Sequence, residues 1–461
     1  MTDSRRIHLL TLGCPKNQVD AEVMLGTLVA DGYEVTLDPE DADVLVVNTC
    51  SFIQPAKEES IEAILEMARV KNSVPGRKLV VTGCLAQRYA KELTPELPEV
   101  DAFVGTGDFL RLKEVLRDVG LPEHHGPIAY VGAQHVLPDH TVPRILTGAP
   151  FTSYLKISEG CNHRCAFCII PKIRGRHESR PEGDLVTEAE GLAAQGVREL
   201  NLIAQDLTAY GRDLPQPSSL AALLRRLARV DGIDWIRLLY CYPNYVTGEL
   251  LEAIAEEPKV CRYIDMPLQH GSDRMLRAMR RERSADSLRR LVERVRSRLP
   301  EVALRTSFIV GFPGETEQDF DDLCRFVTDL EFDRVGVFRY SQEENTAAGA
   351  MPGQVAEAEK DQRWHRLMRL QRAVARHKNA AWVGRVVPVL VCGDDEDGKR
   401  YGRTAAQAPE IDGVVFLEED SFESGEIVPI RISGATDYDL IGNAAASIAR
   451  TAGVDSGEFR T

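Results

Sequence analysis

The sequence predicts an α/β protein in three parts. We expect a doubly wound parallel sheet over residues 5–120, a linker over 121–147, a partial (β/α)6 barrel over 148–380 and a small antiparallel β-barrel over 381–447. Short apolar strands alternate with helical patterns in the first and second folded parts, which indicates parallel sheets. In the third part, short β-rich segments follow one another between Gly, Asp and Pro turns. The 461 residues, 43% of them hydrophobic, suffice for two to four such cores.

The N-terminal part repeats one strand–helix pattern three times. We predict strands at 7–12, 43–48 and 78–82, followed by helices at 19–31, 54–71 and 85–92. A cysteine follows each strand, and we name these residues the N-terminal cysteines: Cys14, Cys50 and Cys84. Ligand sites of such sheets form beyond the carboxyl ends of the strands, so the three thiols could converge. The alternative is that each is only a small buried residue, since free cysteine is among the most buried residue types.

Six further apolar segments predict the strands of the barrel. They lie at 154–158, 199–204, 235–240, 263–268, 305–310 and 335–340, separated by helices at 185–195, 220–230, 247–257, 284–299 and 316–330. Barrel chemistry belongs to the loops after the strands. The loops at 205–211, 269–273 and 311–316 offer polar groups for a cofactor, although ordinary turn chemistry explains each loop equally well.

Three cysteines in the order C-x3-C-x2-C directly follow the first barrel strand. We name Cys161, Cys165 and Cys168 the barrel cysteines. Thiolates at this density suit iron–sulfur clusters or zinc, and a closed site of either kind needs four ligands. The next cysteine is Cys241, so a four-iron cluster here keeps one iron free for a substrate or cosubstrate. The alternative is a Cys3His zinc site completed by a nearby histidine, either His163 or His177.

A basic run follows the barrel cysteines. It contains Lys172, Arg174, Arg176, His177 and Arg180. These side chains either form a solvated face or make a contact with an anion near the cluster. A long helix is predicted at 355–379, and we interpret its arginines as a solvated flank.

Charge restricts the partners. The net charge is −15, which disfavours generic nucleic-acid binding and fits a basic partner. Residues 381–445 alone hold five basic and thirteen acidic side chains. We find no signal peptide and no membrane span, and we expect a cytoplasmic protein whose thiols serve metals. The tail after residue 446 is expected to fray.

The motifs resemble a known family. The C-x3-C-x2-C loop after the first barrel strand resembles the radical S-adenosylmethionine (SAM) superfamily. The stretch ISEGCNHRCAFCIIPKIRGRHESR, together with the N-terminal cysteines, looks like the methylthiotransferases, whose layout is an N-terminal methylthiotransferase domain, a radical SAM core and a TRAM domain. The segments IIPKIRGRHESR, MPLQHGSD and VGVFRYSQEENTAAG resemble the RimO family, which modifies an aspartate of ribosomal protein twelve of the small subunit.

This resemblance implies two 4Fe-4S clusters. The barrel cysteines would hold one whose open iron chelates SAM, and reduction would yield a 5′-deoxyadenosyl radical that removes hydrogen from carbon. The N-terminal cysteines would hold the second, whose open iron carries the sulfur, while a second SAM supplies the methyl group. We expect the rim loops, including Gln269 and residues 311–316, to hold SAM. An electron donor such as flavodoxin or ferredoxin and a sulfur source are the further partners.

Three functions remain to be weighed. The first is a methylthiotransferase acting at the β-carbon of an aspartyl residue, which the acidic C-terminal part favours because ribosomal proteins are basic. The second is a MiaB-type enzyme acting on a tRNA adenosine, which would need a module that tolerates phosphate, so nucleic acid is not the expected substrate. The third is a non-catalytic iron–sulfur electron carrier, against which two sites with open irons argue.

Overall fold

The fold is that of a computed structural model, which describes most of the chain. The described residues are 5–121, 126–132, 136–419 and 421–445. The tail after residue 446, for which fraying is predicted, lies outside them. Among the described residues, no helix combines the length and the apolar character needed to cross a bilayer.

The N-terminal part is a six-stranded parallel sheet. Its elements are β1 (Arg6–Thr11), α1 (Pro15–Ala30), β2 (Glu34–Val35), β3 (Val44–Thr49), α2 (Gln54–Ser73), β4 (Lys78–Gly83), α3 (Cys84–Glu96), β5 (Ala102–Val104), α4 (Leu112–Asp118) and β6 (Ile128–Tyr130). The strand order is β2-β1-β3-β4-β5-β6, which confirms the doubly wound sheet. The order reverses between β1 and β3, and ligand sites of such sheets form at that point.

One strand of this sheet lies in the segment for which a linker is predicted. Ile128–Tyr130 pairs in parallel with Ala102–Val104. Three residues are too few to show a periodic pattern, so the sequence gives no signal for this strand.

The central part is an open six-stranded barrel. Its elements are β7 (Thr152–Lys156), β8 (Ser158–Glu159), α5 (Ile170–Ile173), β9 (Glu178–Ser179), α6 (Glu182–Ala194), β10 (Glu199–Ile203), α7 (Leu220–Leu227), β11 (Trp235–Leu238), α8 (Gly248–Glu256), β12 (Val260–Asp265), α9 (Asp273–Ala278), α10 (Ala285–Arg298), β13 (Ala303–Val310), α11 (Glu317–Leu330), β14 (Arg334–Arg339) and α12 (Glu357–Ala380). The order β14-β13-β12-β11-β10-β7 confirms the predicted (β/α)6 arrangement.

The two faces of the barrel strands pack against different partners. One face carries residues such as Leu202 and Ile264 into the main core beneath the helices. The alternate residues, such as Tyr263, pack in a separate cluster with Val19 of α1 and Ala408 of the C-terminal part. Side chains of all three parts of the chain therefore meet on one face of the barrel sheet.

The C-terminal part is a closed five-stranded barrel. Its strands are β15 (Val386–Asp394), β16 (Arg400–Thr404), β17 (Val415–Leu417), β18 (Ile427–Ala435) and β19 (Leu440–Ala444). All neighbouring pairs are antiparallel except β17 and β19. A buried ion pair joins this barrel to the central one, since Arg403 donates to Glu199 at 2.6 Å and Arg237 donates to the same carboxylate at 2.9 Å.

The long helix α12 differs from the expected solvated flank in one respect. Arg363 is only 2% exposed and donates to the Glu315 carboxylate at 2.7 Å. Because α12 packs against α11 and β14, one side of the helix is shielded from solvent, and an arginine on that side needs a buried partner.

Candidate metal centres

The N-terminal cysteines occupy three neighbouring strand-end loops. Cys14 precedes α1, Cys50 follows β3 and Cys84 is the first residue of α3. The loops are in contact, because a Cβ placed on Gly13 would lie 2.7 Å from the Cβ of Cys50. Gly13 also has φ of +95°, which favours glycine.

Amide and hydroxyl side chains fix these loops to one another. The Asn17 amide donates to the carbonyls of Leu12 and Thr49, both at 2.9 Å. The Asn48 amide donates to the Asn17 carbonyl at 2.8 Å. Ser60 accepts from the backbone N–H of Cys50 at 3.0 Å and donates to its carbonyl at 2.9 Å. The loops are therefore held in place before any ligand binds.

The environment of the N-terminal cysteines disfavours bare thiolates. Burial, together with charge repulsion from the neighbouring Cys84 and Cys14, raises the pKa of Cys50 to about 12. Burial likewise raises the pKa of Cys84, with Cys14 again adding repulsion. Three thiolates this close need cations between them, and irons would supply that charge.

The loop of the barrel cysteines is closed by a short two-stranded pairing. Ser158–Glu159 pairs with Glu178–Ser179, and the Cys161 N–H donates to the Gly175 carbonyl at 3.1 Å. A Cβ on Gly160, which has φ of +78°, would lie 2.1 Å from the Arg176 carbonyl oxygen. Only glycine fits this crossing, so the backbone there sets where the cysteines begin.

The same loop rests on the rim of the barrel. The Ala166 N–H donates to the Met279 carbonyl at 3.0 Å, and the Arg281 guanidinium lies 3.4 Å from the Cys165 sulfur. Burial raises the pKa of Cys161 to about 11 and that of Cys168 to about 12. These thiols, like the N-terminal cysteines, fit a ligand that brings positive charge.

The histidines of the zinc alternative have other partners. His163 Nε2 lies 2.7 Å from Asp206, and its ring stacks on Tyr242 with centroids 3.7 Å apart. His177 Nε2 lies 3.1 Å from the Ser179 hydroxyl. No three His, Cys, Asp or Glu side chains within the described ranges close on a single metal ion. The donor set, three soft thiols in each group, fits a cluster whose irons each take one thiolate.

The two groups of cysteines approach each other across the junction of the first two parts. Cys84 packs in one buried cluster with Ile173 and with Ile169, which directly follows Cys168. Arg174 reaches across the junction, and its guanidinium lies 3.5 Å from the Cys84 sulfur.

Arg174 belongs to a buried group of four charges. Its guanidinium donates to Asp20 at 2.7 Å and to Glu159 at 3.2 Å. Lys156 donates to Glu159 at 3.0 Å and also to Asp20. In the predicted basic run, Arg174 thus makes an anion contact while Arg176 stays exposed. No local sequence pattern indicates Asp20, Lys156 or Glu159 as site residues.

A second set of contacts brings the N-terminal part over the barrel rim. Glu343, which follows β14, accepts from Arg88 at 2.8 Å and from Lys57 at 3.0 Å. The Ser341 hydroxyl accepts from the backbone N–H of Gln54 at 3.1 Å. These contacts hold the N-terminal part against the segment that follows β14.

Lys16 lies inside this junction. Its ammonium lies 3.4 Å from the centre of the Tyr240 ring, beyond the end of β11. The side chain belongs to the N-terminal part, two residues after Cys14, and is buried. No local sequence pattern singles it out, because one lysine in the first turn of a helix resembles an ordinary surface residue.

Three family models match the chain. The "Uncharacterized protein family UPF0004" matches residues 6–105, the "Radical SAM superfamily" matches 155–327 and the "TRAM domain" matches 383–445.

Curated relatives match almost the whole chain. The ribosomal protein uS12 methylthiotransferase RimO of Anaeromyxobacter sp. (strain K) is 52% identical over 96% of this chain and 93% of its own length. The protein of the same name from Pelobacter propionicus is 48% identical over 96% of this chain and 98% of its own length.

Solved structures share the fold. The radical SAM methyltransferase TsrM from Kitasatospora setae, with cobalamin and a [4Fe-4S] cluster bound, has a TM-score of 0.53 at 18% identity and covers 75% of this chain and 77% of its own. The cobalamin-dependent radical SAM enzyme OxsB, with aqua-cobalamin and S-adenosylmethionine bound, has a TM-score of 0.50 at 12% identity and covers 81% of this chain and 56% of its own.

The fold, the barrel cysteines and these matches define a radical SAM enzyme of the transferase class. It uses S-adenosylmethionine and an iron–sulfur cluster. Within that class, the chain belongs to the RimO family of methylthiotransferases.

Proposed function

We propose that the protein inserts sulfur and a methyl group at the β-carbon of an aspartyl residue of ribosomal protein uS12. Two relatives named as uS12 methylthiotransferases are 52% and 48% identical to it over the aligned residues. The structural observation that carries the proposal is the closeness of two three-thiol groups, since Cys84 packs on Ile169 next to Cys168. An electron carrier has no use for two incomplete sites at one junction.

We assign the N-terminal cysteines and the barrel cysteines to two 4Fe-4S clusters, and the rim loops with Gln269 and residues 311–316 to SAM. When bound, these groups supply the radical, the sulfur and the methyl group. The chain holds them in position. Asn17 fixes the loops of the N-terminal cysteines, and Arg174 with its three charged partners fixes one group of cysteines against the other.

The contacts of Glu343 with Arg88 and Lys57 also hold the two parts together, and Arg88 is 6% exposed in its side chain. Burial of this kind would limit the access of water to a reaction at the barrel rim.

Charge favours uS12 over the MiaB-type tRNA alternative. The C-terminal barrel exposes acidic residues, among them Asp394, Glu396, Glu418 and Glu419, in a region with thirteen acidic and five basic side chains. Such a surface attracts a basic ribosomal protein and repels RNA phosphates. A ribosomal substrate implies that the protein works in the cytoplasm.

We propose that an acidic electron carrier such as flavodoxin or ferredoxin docks beside the barrel cysteines. Five exposed arginines there have no ion pair with a described carboxylate, and we name them the arginine surface: Arg164, Arg176, Arg212, Arg277 and Arg280. Hydrogen bonds and ring contacts connect their segments, since Ala166 bonds to Met279, and Tyr245, on which Arg212 stacks, lies beside His163. A positive surface on an acidic protein selects an acidic partner.

A separate sulfur source must replace the sulfur atom that each turnover inserts into the substrate.

Anaerobic reconstitution tests the assignment of the clusters. The wild type should bind iron for two four-iron clusters, and the Cys161→Ala/Cys165→Ala/Cys168→Ala variant should keep iron for one. A wild type that binds iron for a single cluster would contradict the proposal.

Mass spectrometry of uS12 and of bulk tRNA from cells that lack the chain tests the substrate. Loss of a methylthio mass from tRNA, with uS12 unchanged, would select the MiaB-type alternative.

A further inference from the structure

Lys16 is exceptional among the buried basic residues. Nine lysines and arginines are buried within the described ranges, and eight of them have a carboxylate oxygen within 4.0 Å. Those eight are Arg77, Lys156, Arg174, Arg180, Arg237, Lys360, Arg363 and Arg403. For Lys16 no such pair exists among the described residues.

The carboxylates nearest to this junction are already engaged. Asp265 accepts from Arg305 at 2.9 Å and from the Tyr240 N–H at 3.1 Å. Glu159 accepts from Lys156 and Arg174 within the buried group of four charges. The face of the Tyr240 ring meets the Lys16 ammonium, and a ring face offsets part of a cation's charge without neutralising it. A buried ammonium in this state is complementary to an anionic ligand.

The position of Lys16 indicates which ligand it serves. The residue follows Cys14 by two positions in the N-terminal part, and its ammonium lies over a residue at the barrel rim. It therefore lies on the Cys14 side of the contact between the N-terminal part and the barrel rim, and the proposed function brings the reacting carbon of the substrate to this junction. The residue keeps 7% of its accessible surface.

We propose that Lys16 is a binding residue for the side-chain carboxylate of the substrate aspartyl residue, an inference that rests on the proposed function. An ion pair with that carboxylate holds the adjacent β-carbon within the junction and orients its hydrogen atoms. The Tyr240 ring borders the same space. An adenosine has no carboxylate, so this subsite also distinguishes the uS12 substrate from a tRNA substrate.

The carboxylate could come from a second source, because SAM also carries one. Binding experiments with the reconstituted enzyme separate the two sources. Affinity for uS12 is measured in the presence of SAM, using uS12 with its natural target aspartate and uS12 with that residue changed to asparagine. Affinity for SAM is measured separately without uS12.

We expect the wild type to bind natural uS12 about 10- to 100-fold more tightly than the asparagine form, the range typical of a hydrogen bond to a charged group. Lys16→Met and Lys16→Gln should bind both forms equally, whereas Lys16→Arg should retain a preference for aspartate. Lys71→Met is the control, since Lys71 is a partly buried lysine of the same N-terminal part but pairs with Asp101 at 2.7 Å, and it should keep the full preference.

Two outcomes would overturn the assignment. If Lys16→Met and Lys16→Gln keep the preference for aspartate but lose SAM affinity, Lys16 serves SAM. If they keep both and differ only in iron content, Lys16 balances the charge of the cluster. Should Lys16→Met fail to load iron, the comparison of Lys16→Gln with Lys16→Arg decides the question.

Failure of the proposed function gives a different result. In that case the wild type itself leaves uS12 without a methylthio mass, so the two failures are distinguishable.

Discussion

Gly13 is the residue on which the closeness of Cys14 and Cys50 depends. We expect Gly13→Ala to lose iron at the N-terminal cysteines and to keep it at the barrel cysteines, which halves the iron per chain. The added Cβ would lie 2.7 Å from the Cys50 Cβ, and φ of +95° costs an alanine roughly 1–3 kcal/mol. Iron analysis after reconstitution measures the effect.

Gly76→Ala is the matched control for this prediction. Gly76 has φ of +95°, but no described residue lies within 4 Å of the position of its Cβ. The control variant should lose about as much free energy of unfolding as Gly13→Ala does. It should bind as much iron as the wild type. Equal iron loss in both variants would show that backbone strain, and not contact between the loops, governs the site.

Glu199 makes the stability of the protein depend on pH. Burial alone would raise the pKa of this carboxyl group, but the guanidinium groups of Arg403 and Arg237 outweigh burial and lower the pKa to about 2 from 4.5. The ion pairs therefore stabilise the fold fully above about pH 4.5, and their contribution declines as the pH falls toward about 2. The contribution is about 3 kcal/mol.

Urea unfolding at about pH 6 and about pH 3 measures this dependence. Glu199→Gln should lower the free energy of unfolding by about 3–5 kcal/mol at the higher pH, because two buried guanidinium groups lose their counter-charge. Glu301→Gln, which removes a surface partner of Arg385, should change it by less than ~1 kcal/mol. A Glu199→Gln variant with the pH dependence of the wild type would contradict the assignment.

The sequence predicts metal-site residues better than it predicts their surroundings. The spacing of Cys161, Cys165 and Cys168 is a local signal that needs no structure. Asp20 and Arg174 are far apart in the chain, and no local pattern indicates that they pair. Lys16 was missed for a related reason, since its importance lies in the lack of a partner, which only the packing reveals.

Among the elements, α1 connects the parts of the chain most directly. Its Asp20 is one of two carboxylates that neutralise Lys156 and Arg174. We expect Asp20→Asn to lower the free energy of unfolding by about 3–5 kcal/mol, because one buried cation then lacks a partner. Asp31→Asn, at the end of the same helix and paired with Lys113 near the surface, should cost less than ~1 kcal/mol. Equal costs would show that the buried group does not join the two parts.

Element length decides what the sequence predicts at this scale. The six barrel strands and their helices are long apolar or periodic segments, and the structure has all of them. The strands β2, β6, β8 and β9 have two or three residues each, which is too short for periodicity. The buried side of α12 was missed because the sequence shows a mostly charged helix, and packing alone determines which arginine is covered.

For the whole molecule, charge distribution governs association with partners. We expect the Arg164→Glu/Arg280→Glu variant to form 5′-deoxyadenosine several-fold more slowly with flavodoxin as reductant at low salt, since the arginine surface then repels an acidic carrier. The rate with dithionite should stay that of the wild type. Arg376→Glu, an exposed change on α12, is the control. Equal slowing with both reductants would indicate damage at the cluster instead of lost docking.

The covered barrel rim has a consequence for how a target is chosen. Glu343, Arg88 and Lys57 join the N-terminal part to the segment after β14, and the pair of Arg174 and Asp20 joins the two parts at a second place. With the rim covered at two places, we expect a narrow loop to reach the reactive centre more readily than a flat folded surface. Among chemically identical aspartates, one at the tip of a loop therefore fits the proposed function best.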